Sequence, residues 1–474
     1  MRTPRGSDPS GRAEPGVAFT FAVTVVALLP RLFVALAWSR EPVWDGHYYH
    51  YGAVRIAEGF GYADELVIGG VRTWHPWAHY PVGYSAFLAA VYRVFGTGLA
   101  VAPVANAVTG ALLVAVVHRI SLRTMTLNRA RIAATITALH PGLIIYSAVL
   151  MNEILCALLV LTAAWVAVRH LRWSSTIVAG VLLGLATLVR PSALVAAPLV
   201  ALLLPLPRLA AVQRAVVVTG IAVFTVLPWT YRNCRVMDGC ALVSTNGGWN
   251  LAIGALTETG RFQTLRARDG CPVVTGQVQQ DRCWAQVGLS IITENPAHWL
   301  GLIPKKLSQT YDHESFAIEY LREADPAAWP ESRRVAGRAL LTAYHQMLLV
   351  AATLGLIALP SPRRVGGRGT IVQGSLLAAV LIFAIYAAAG SEHPFWILVA
   401  FMPLLGLIPL PGAPPAPTVE RFLLAFVFAT TLTHAVFFGD DRYHLVVTPV
   451  FAILAASALR RLNARPARSY PRLR

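Results

Sequence analysis

Residues 17–38, VAFTFAVTVVALLPRLFVALAW, run directly toward Glu41-Pro42-Val43-Trp44-Asp45-Gly46-His47-Tyr48-Tyr49. The first part is an apolar run of membrane-spanning length, roughly 17–25 residues, broken only by Arg31. The second part puts a carboxylate, Asp45, just past it. Ionised groups are costly beside hydrocarbon, so an acid fixed at that boundary is a functional candidate. Similar apolar runs recur at 97–117, 132–148, 150–168, 174–190, 191–207, 215–230, 336–359, 371–389, 394–410, 422–438 and 444–459. The expected fold is therefore an all-α polytopic membrane bundle of about 12 transmembrane helices, with both ends of the chain on one side. Composition agrees: 56% of the 474 residues are hydrophobic and 13% are charged, against about 25% charged in a soluble domain. The alternating ten-residue strands of an outer-membrane barrel are missing from the pattern.

This reading divides the chain into a tail (1–16), an N-terminal transmembrane module (17–230) containing an outer loop (39–96), a periplasmic loop region (231–335), a C-terminal transmembrane module (336–460) and a basic tail (461–474). The net charge of +17 follows that division. More than half of the Lys and Arg fall in the tails and in short loops such as Arg119/Arg123/Arg129/Arg131 and Arg363/Arg364/Arg368. The only acids there are Asp8, Glu14 and Glu420. That asymmetry is the positive-inside signature and places these segments in the cytoplasm. The basic charge is thus a topology signal, and no nucleic-acid partner is expected. The first run reads as a retained span. Ala35-Leu36-Ala37 resembles a signal cleavage site, but the run is long for a signal and Arg31 interrupts it.

Cys156 lies within a span, whereas Cys234, Cys240, Cys271 and Cys283 all fall in 231–335, the segment placed outside, where disulfides persist. Pairing 234 with 240 and 271 with 283 closes the shortest loops, and four cysteines allow three connectivities. The outer loop 39–96 carries an apolar stretch, 85–95, too short to span and containing Arg93; it reads as an interfacial helix, with 48–58 a second one ended by Gly59 and Gly61. The segment 231–335 reads as a lid or rim over the membrane part.

In this topology Asp45, His79, Glu153, Arg190, Glu392, His393, Asp440, Asp441, Arg442 and Tyr443 all fall near outer ends of spans. A transporter needs polar groups near the midplane, and Arg31 alone is a candidate there.

The ordered set Asp45…Tyr48/Tyr49…Glu58-Gly59-Phe60-Gly61-Tyr62, His79-Tyr80-Pro81-Val82-Gly83-Tyr84, Met151-Asn152-Glu153, Leu188-Val189-Arg190-Pro191, Pro228-Trp229-Thr230-Tyr231-Arg232-Asn233, Asn246-Gly247-Gly248-Trp249 and Arg442-Tyr443-His444-Leu445 resembles GT-C-fold glycosyltransferases. It is most similar to bacterial relatives of protein O-mannosyltransferases and of the lipid A aminoarabinose transferase. No single motif is specific, but the order holds over nearly the whole chain. The resemblance implies an inverting transferase of the bacterial inner membrane, its site facing the periplasm and its donor a sugar on a polyprenyl phosphate. Asp45 takes the position of the catalytic base. The mannosyltransferases carry Asp-Glu at this point, whereas Gly46 follows Asp45 here, so the acceptor contact given to that Glu is not carried over.

Such chemistry needs a base for the acceptor hydroxyl and cationic or N–H groups for the departing phosphate. Asp45 is the expected base, with a helix cap at the start of 48–58 as the plain alternative. Arg442 is the expected phosphate ligand through its two-pronged guanidinium, or else an interfacial partner of Asp440 or Asp441. Tyr443, His79 and Tyr80 are candidate donors beside it. Glu153 contacts acceptor or metal, or else pairs with a loop Arg; Arg190 neutralises the phosphate or steadies Asp45, with a structural snorkelling arginine as the plain alternative. No cofactor is required: the adjacent Asp440-Asp441 point apart in an extended segment, and a divalent metal is possible but not favoured. Expected partners are the lipid-linked sugar donor, an acceptor glycan, lipid or protein, and membrane lipids. A flippase or polymerase for lipid-linked glycans is the rival reading, and a non-catalytic scaffold a further one.

Overall fold

The first apolar run folds as helix α1 (Pro15–Ala37). Its outer side chains Phe21, Leu29 and Phe33 are left bare, which suits a face turned to lipid. The computed structural model describes residues 15–272, 276–359, 367–390, 393–408, 410–411, 416–458 and 460–461. The tails 1–14 and 462–474, Arg363, Arg364, Glu392 and the linker residues 412–415 lie outside the described residues.

The outer loop supplies α2 (Trp44–Glu58), a hairpin of β1 (Ala63–Ile68) and β2 (Val71–Pro76), and α3 (Val82–Phe95). Gly59 closes α2 in the left-handed conformation. Gly69 and Gly70, both at positive φ, make the two-residue turn of the antiparallel hairpin. There follow α4 (Val101–Ser121), α5 (Leu127–Leu139), the single turn α6 (Pro141–Ile145), α7 (Glu153–Arg169), α8 (Trp173–Val189), α9 (Ala196–Leu203) and α10 (Arg208–Val236). Next come α11 (Gly247–Leu256), α12 (Gln277–Glu294), α13 (Pro296–Gly301), α14 (Ile303–Tyr311) and α15 (Phe316–Ala324). The chain closes with α16 (Glu331–Gly355), α17 (Gly367–Ala389), α18 (Trp396–Leu407), α19 (Thr418–Val436) and α20 (Thr448–Ala455).

The protein is thus an all-α membrane protein. Among the described residues five helices, α1, α4, α10, α17 and α19, are long and apolar enough to cross a membrane by length and composition. α4 and α19 are largely buried, whereas α1, α10 and α17 keep most of their apolar surface outward. Inside lipid, burial of apolar area does not drive helix pairing; close packing does. The sequence supplies small residues for it. Gly180 and Gly184, one turn apart on α8, face α10 so closely that an added Cβ would sit 2.7 Å from Ile221 and from the Ala222 carbonyl, respectively. Ala157, Ala163, Ala164 and Ala167 on α7 and Ala130, Ala133 and Ala134 on α5 are likewise buried.

Three expectations change. α2 begins at Trp44, so Asp45 lies in its first turn; Val43 is the N-cap and has no side-chain cap. Arg31 is a structural residue. Its Nη1 donates to the Ala27 and Ala138 carbonyls (2.8 and 2.9 Å) and Nη2 to Thr137 (3.1 Å), so it caps the C-terminal end of α5 with positive charge. Finally, 231–335 is more than a rim. It is mostly helical, and Leu307 and Tyr311 on α14 and Tyr320 and Leu321 on α15 sit in the main core. Disulfides join Cys234 to Cys240 and Cys271 to Cys283, and Cys156 is free and buried.

Candidate active site

Position 46 explains much of the local geometry. α2 packs so tightly on α15 that a Cβ at Gly46 would overlap the Tyr320 hydroxyl. A larger side chain at this position would require Tyr320 to shift. The neighbouring Asp45 lies in the first turn of α2, at one end of the bundle.

There its carboxylate is held from two sides. The Tyr80 hydroxyl donates to Oδ1 at 2.7 Å, and Arg442 Nη1 lies 2.6 Å from Oδ2. The two ionic side chains are 21% and 13% exposed, enough to be reached from outside but too little for water to screen them fully. Burial by itself would raise the Asp45 carboxyl. Arg442, Tyr80 and His79 outweigh it, and the group stays below the usual aspartate range. The Tyr80 hydroxyl is pushed upward by burial and by Asp45, so it remains a donor. Burial lowers His79, against the pull of Asp45, and favours its neutral form.

Arg442 comes from the other end of the chain, on the connection between α19 and α20. That connection is shaped by its two acids, which do point apart. Asp440 accepts from the Arg442 backbone N–H at 3.2 Å and flanks Nε at 3.7 Å. Asp441 accepts from the backbone N–H groups of Ser315 and Phe316, pinning the connection to the start of α15. Burial raises the Asp440 carboxyl, against the attraction of Arg442. The guanidinium itself lies over the rings of Phe316 (4.7 Å) and Tyr443 (5.1 Å) and its Nη1 is 3.1 Å from the Met151 sulfur. Its principal anion is therefore Asp45, with Asp440 second.

A second ion pair sits beside the first. Arg190 Nη1 meets Glu153 Oε1 at 2.7 Å and also donates to Asn152 Oδ1 at 3.2 Å. Its guanidinium lies 4.8 Å from the Tyr443 ring, so Tyr443 is shared by both arginines. Arg190 reaches this place because α8 stops at Val189: Pro191 forces the residue before it into extended backbone (φ −148°), and a 3-10 turn, Pro191–Val195, follows. Asn152 links the two halves, donating to the Tyr49 hydroxyl at 2.8 Å and to the Val189 carbonyl at 3.1 Å. A narrow cleft runs from Arg190 and Tyr443 along α19, walled by Ser192, Phe426, Thr430 and His434. On the other side, a cavity of about 300 Å³ opens among His79, Trp249, Arg266, Gln277, Gln280 and Trp284.

Asp45, His79, Tyr80, Glu153, Arg190, Arg442 and Tyr443 thus meet at one end of the bundle. His393 does not join them; its ring donates to the Ala387 carbonyl. Arg232 ties down the outer loop through the carbonyls of Tyr62 (2.6 Å) and Trp77 (3.0 Å). Sequence reasoning had no place for Tyr49, Met151, Asn152, Phe316 or Trp284 in the site. Asn152 carried a signal, a polar residue opening an apolar helix, but Phe316 carried none. A separate cluster, Glu314, His345 and His444, brings ligand atoms within 4.8 Å of one another and can hold a metal ion.

No family model matches this sequence, and no curated protein does. Several solved structures are similar to this chain over most of its length. The archaeal oligosaccharyltransferase AglB from Archaeoglobus fulgidus, in complex with an inhibitory peptide and a dolichol-phosphate, is 15% identical over 93% of this chain and 50% of its own, with a TM-score of 0.43. The same enzyme tethered to an acceptor peptide gives 13% identity over 93% and 49%, with a TM-score of 0.45. ArnT from Cupriavidus metallidurans, bound to undecaprenyl phosphate, gives 14% over 94% and 77%, with a TM-score of 0.35. The chain spans about half the length of the oligosaccharyltransferases it matches.

Proposed function

We propose that the protein moves a monosaccharide from a polyprenyl-phosphate donor to an acceptor hydroxyl at the outer face of the bacterial inner membrane, with inversion at the anomeric carbon. The observation that carries this reading is the Asp45–Arg442 pair at 2.6 Å, mostly buried yet still partly exposed, with a second arginine beside it. Asp45 is ionised at neutral pH and able to take a proton. Arg442 holds an anion already, and a phosphate is the anion best shaped to compete for it.

In this mechanism the donor phosphate draws on Arg442, with Arg190 and Tyr443 beside it, and its lipid chain follows the cleft along α19. The sugar and the acceptor occupy the cavity lined by His79, Trp249 and Trp284, where indole faces suit sugar rings. The acceptor oxygen attacks the anomeric carbon as its proton passes to Asp45. The bond from that carbon to the phosphate oxygen breaks, and polyprenyl phosphate departs with its charge met by the arginines. As the phosphate loosens Arg442 from Asp45, the carboxylate becomes more basic when the proton must move.

The test is transfer from a panel of radiolabelled polyprenyl-phosphate monosaccharides by the purified protein and by Asp45→Asn. Consumption of one donor by the wild type but not the variant upholds the reading and names the sugar. Equal consumption by both removes Asp45 from the chemistry. Transbilayer movement of the intact donor, undiminished in Asp45→Asn, would make the protein a flippase instead.

A further inference from the structure

Behind Arg442 the chain turns inward, and a 3-10 turn, Tyr443–Val446, buries His444 completely. Two other polar side chains meet it there. His345 comes from α16 and is fully buried, and Glu314, in the connection between α14 and α15, is 1% exposed. The two imidazoles stack with ring centres 3.9 Å apart.

Hydrogen bonds fix which nitrogen of each ring is bare. His345 Nε2 donates to the Tyr311 carbonyl at 2.9 Å, and His444 Nδ1 donates to the Thr310 carbonyl at 2.8 Å. A neutral imidazole has a single N–H. With it given to a carbonyl, His345 Nδ1 and His444 Nε2 are left as lone pairs. Both are buried and lack any hydrogen-bond partner, as do both carboxylate oxygens of Glu314. One ligand atom from each of the three side chains lies within 4.8 Å of the other two. Three acceptor groups therefore converge with no hydrogen bond to any of these atoms, an arrangement that buried polar groups do not adopt without a compensating donor or charge. Gly142 makes the room: a Cβ there would overlap the Glu314 carboxylate. His140 stands nearby but is set up differently. Its Nδ1 accepts from the Leu143 N–H at 3.3 Å, so its proton is on Nε2 and the ring is a donor, not a ligand.

We infer that Glu314, His345 and His444 bind a divalent transition-metal ion, with zinc the best fit. Two imidazole nitrogens and one carboxylate are a zinc donor set, and ring N–H groups bonded to backbone carbonyls are the usual means of orienting such ligands. Bonds of about 2.0–2.1 Å to zinc ask the three ligand atoms to draw together to roughly 3.3 Å. A proton on one ring answers only one of the vacant lone pairs, and two stacked imidazolium rings would repel each other. The ion joins α16, the α14–α15 connection and the turn that carries Arg442. Its ligands are positioning residues for that arginine, and the ion's presence does not depend on the transfer reaction proposed above.

The full-length protein, purified in detergent with added zinc and then dialysed free of loose metal, decides the matter. Expected are one tightly held zinc per chain, a visible absorption band of four-coordinate Co²⁺ when cobalt replaces it, and a lower thermal midpoint after chelation. Glu314→Gln, His345→Asn and His444→Asn each lose the metal and the chelator effect, whereas His47→Asn, an exposed control, keeps both. A wild-type protein with no retained zinc, no cobalt band and no chelator shift overturns the inference, and so does undiminished zinc in all three variants. Should the variants fail to fold, the cobalt band and the chelator shift of the wild type give the answer alone.

Discussion

Two polar clusters flank the short segment Asp440–His444, and they are built on opposite principles. On its outer side Asp45, Tyr80, Arg442 and Asp440 form a set in which cation, anions and donor answer one another. On its inner side Glu314, His345 and His444 present lone pairs to one another and nothing answers them. In the first set opposite charges already face each other, and the transfer proposed above has the donor phosphate compete for the arginine. The second is incomplete and calls for an ion to be held permanently. Partial exposure suits exchange, and full burial suits retention.

The largest expected effect breaks the outer cluster. Asp45→Asn keeps shape and removes the base, so transfer should fall by about a thousand-fold, within the usual range for general-base catalysis. Binding of polyprenyl phosphate should hold or tighten, because Arg442 no longer has a competing carboxylate. A variant that binds donor poorly yet still transfers at the wild-type rate would reverse the roles given to the pair.

Breaking the inner cluster should act differently. Metal removal from the wild type, or His444→Asn, should lower the thermal midpoint and weaken donor binding through a loosened Arg442. An unchanged Kd for the donor in the metal-free protein would separate the two clusters entirely. Arg442→Lys comes next. It keeps the charge but loses the two-pronged geometry, so donor affinity should fall about tenfold, or about 1.4 kcal/mol, as measured by titration with polyprenyl phosphate.

The pH dependence is a finer probe. A carboxylate held below its ordinary value of about 3.9 stays ionised down to that range. The acid limb of kcat/KM should therefore lie below pH 4, and stability contributed by the Asp45–Arg442 pair should persist above that value and disappear as the pH falls. Tyr80→Phe deletes one donor to the carboxylate, a change of about 1 kcal/mol, which raises the limb by about 0.7 pH unit. A limb near neutrality in the wild type would mean that another group is titrating.

Much of this was legible in the sequence because it depends on local signals. Apolar runs set the helices, Arg190-Pro191 marked the break after α8, and the Ile68-Gly69-Gly70-Val71 hairpin could have been read from its turn residues. The candidate residues of the site were also visible as polar residues where lipid makes them costly. What was hidden is who pairs with whom. Base and phosphate ligand were assigned separately, whereas they are each other's partners, and nothing local in Asp45 or in Arg442 says so. The inner cluster was hidden for the same reason. Glu314 lies in a stretch read as a peripheral rim, and its burial depends on α14 and α15 turning into the bundle. Arg31 misled in the other direction, because only the folded protein shows the carbonyls that hold it.

The distance along the chain between Asp45 and Arg442 has a consequence for how the protein is made. Asp45 leaves the ribosome long before Arg442. Until Arg442 is made, the N-terminal helices must therefore sit in the bilayer with a carboxylate whose counter-ion does not yet exist. At that stage the neutral, protonated acid is the cheaper form. The charged pair forms only when the connection before α20 docks against α15. A chain cut short before Arg442 therefore lacks the pair, and with it the transfer activity proposed above.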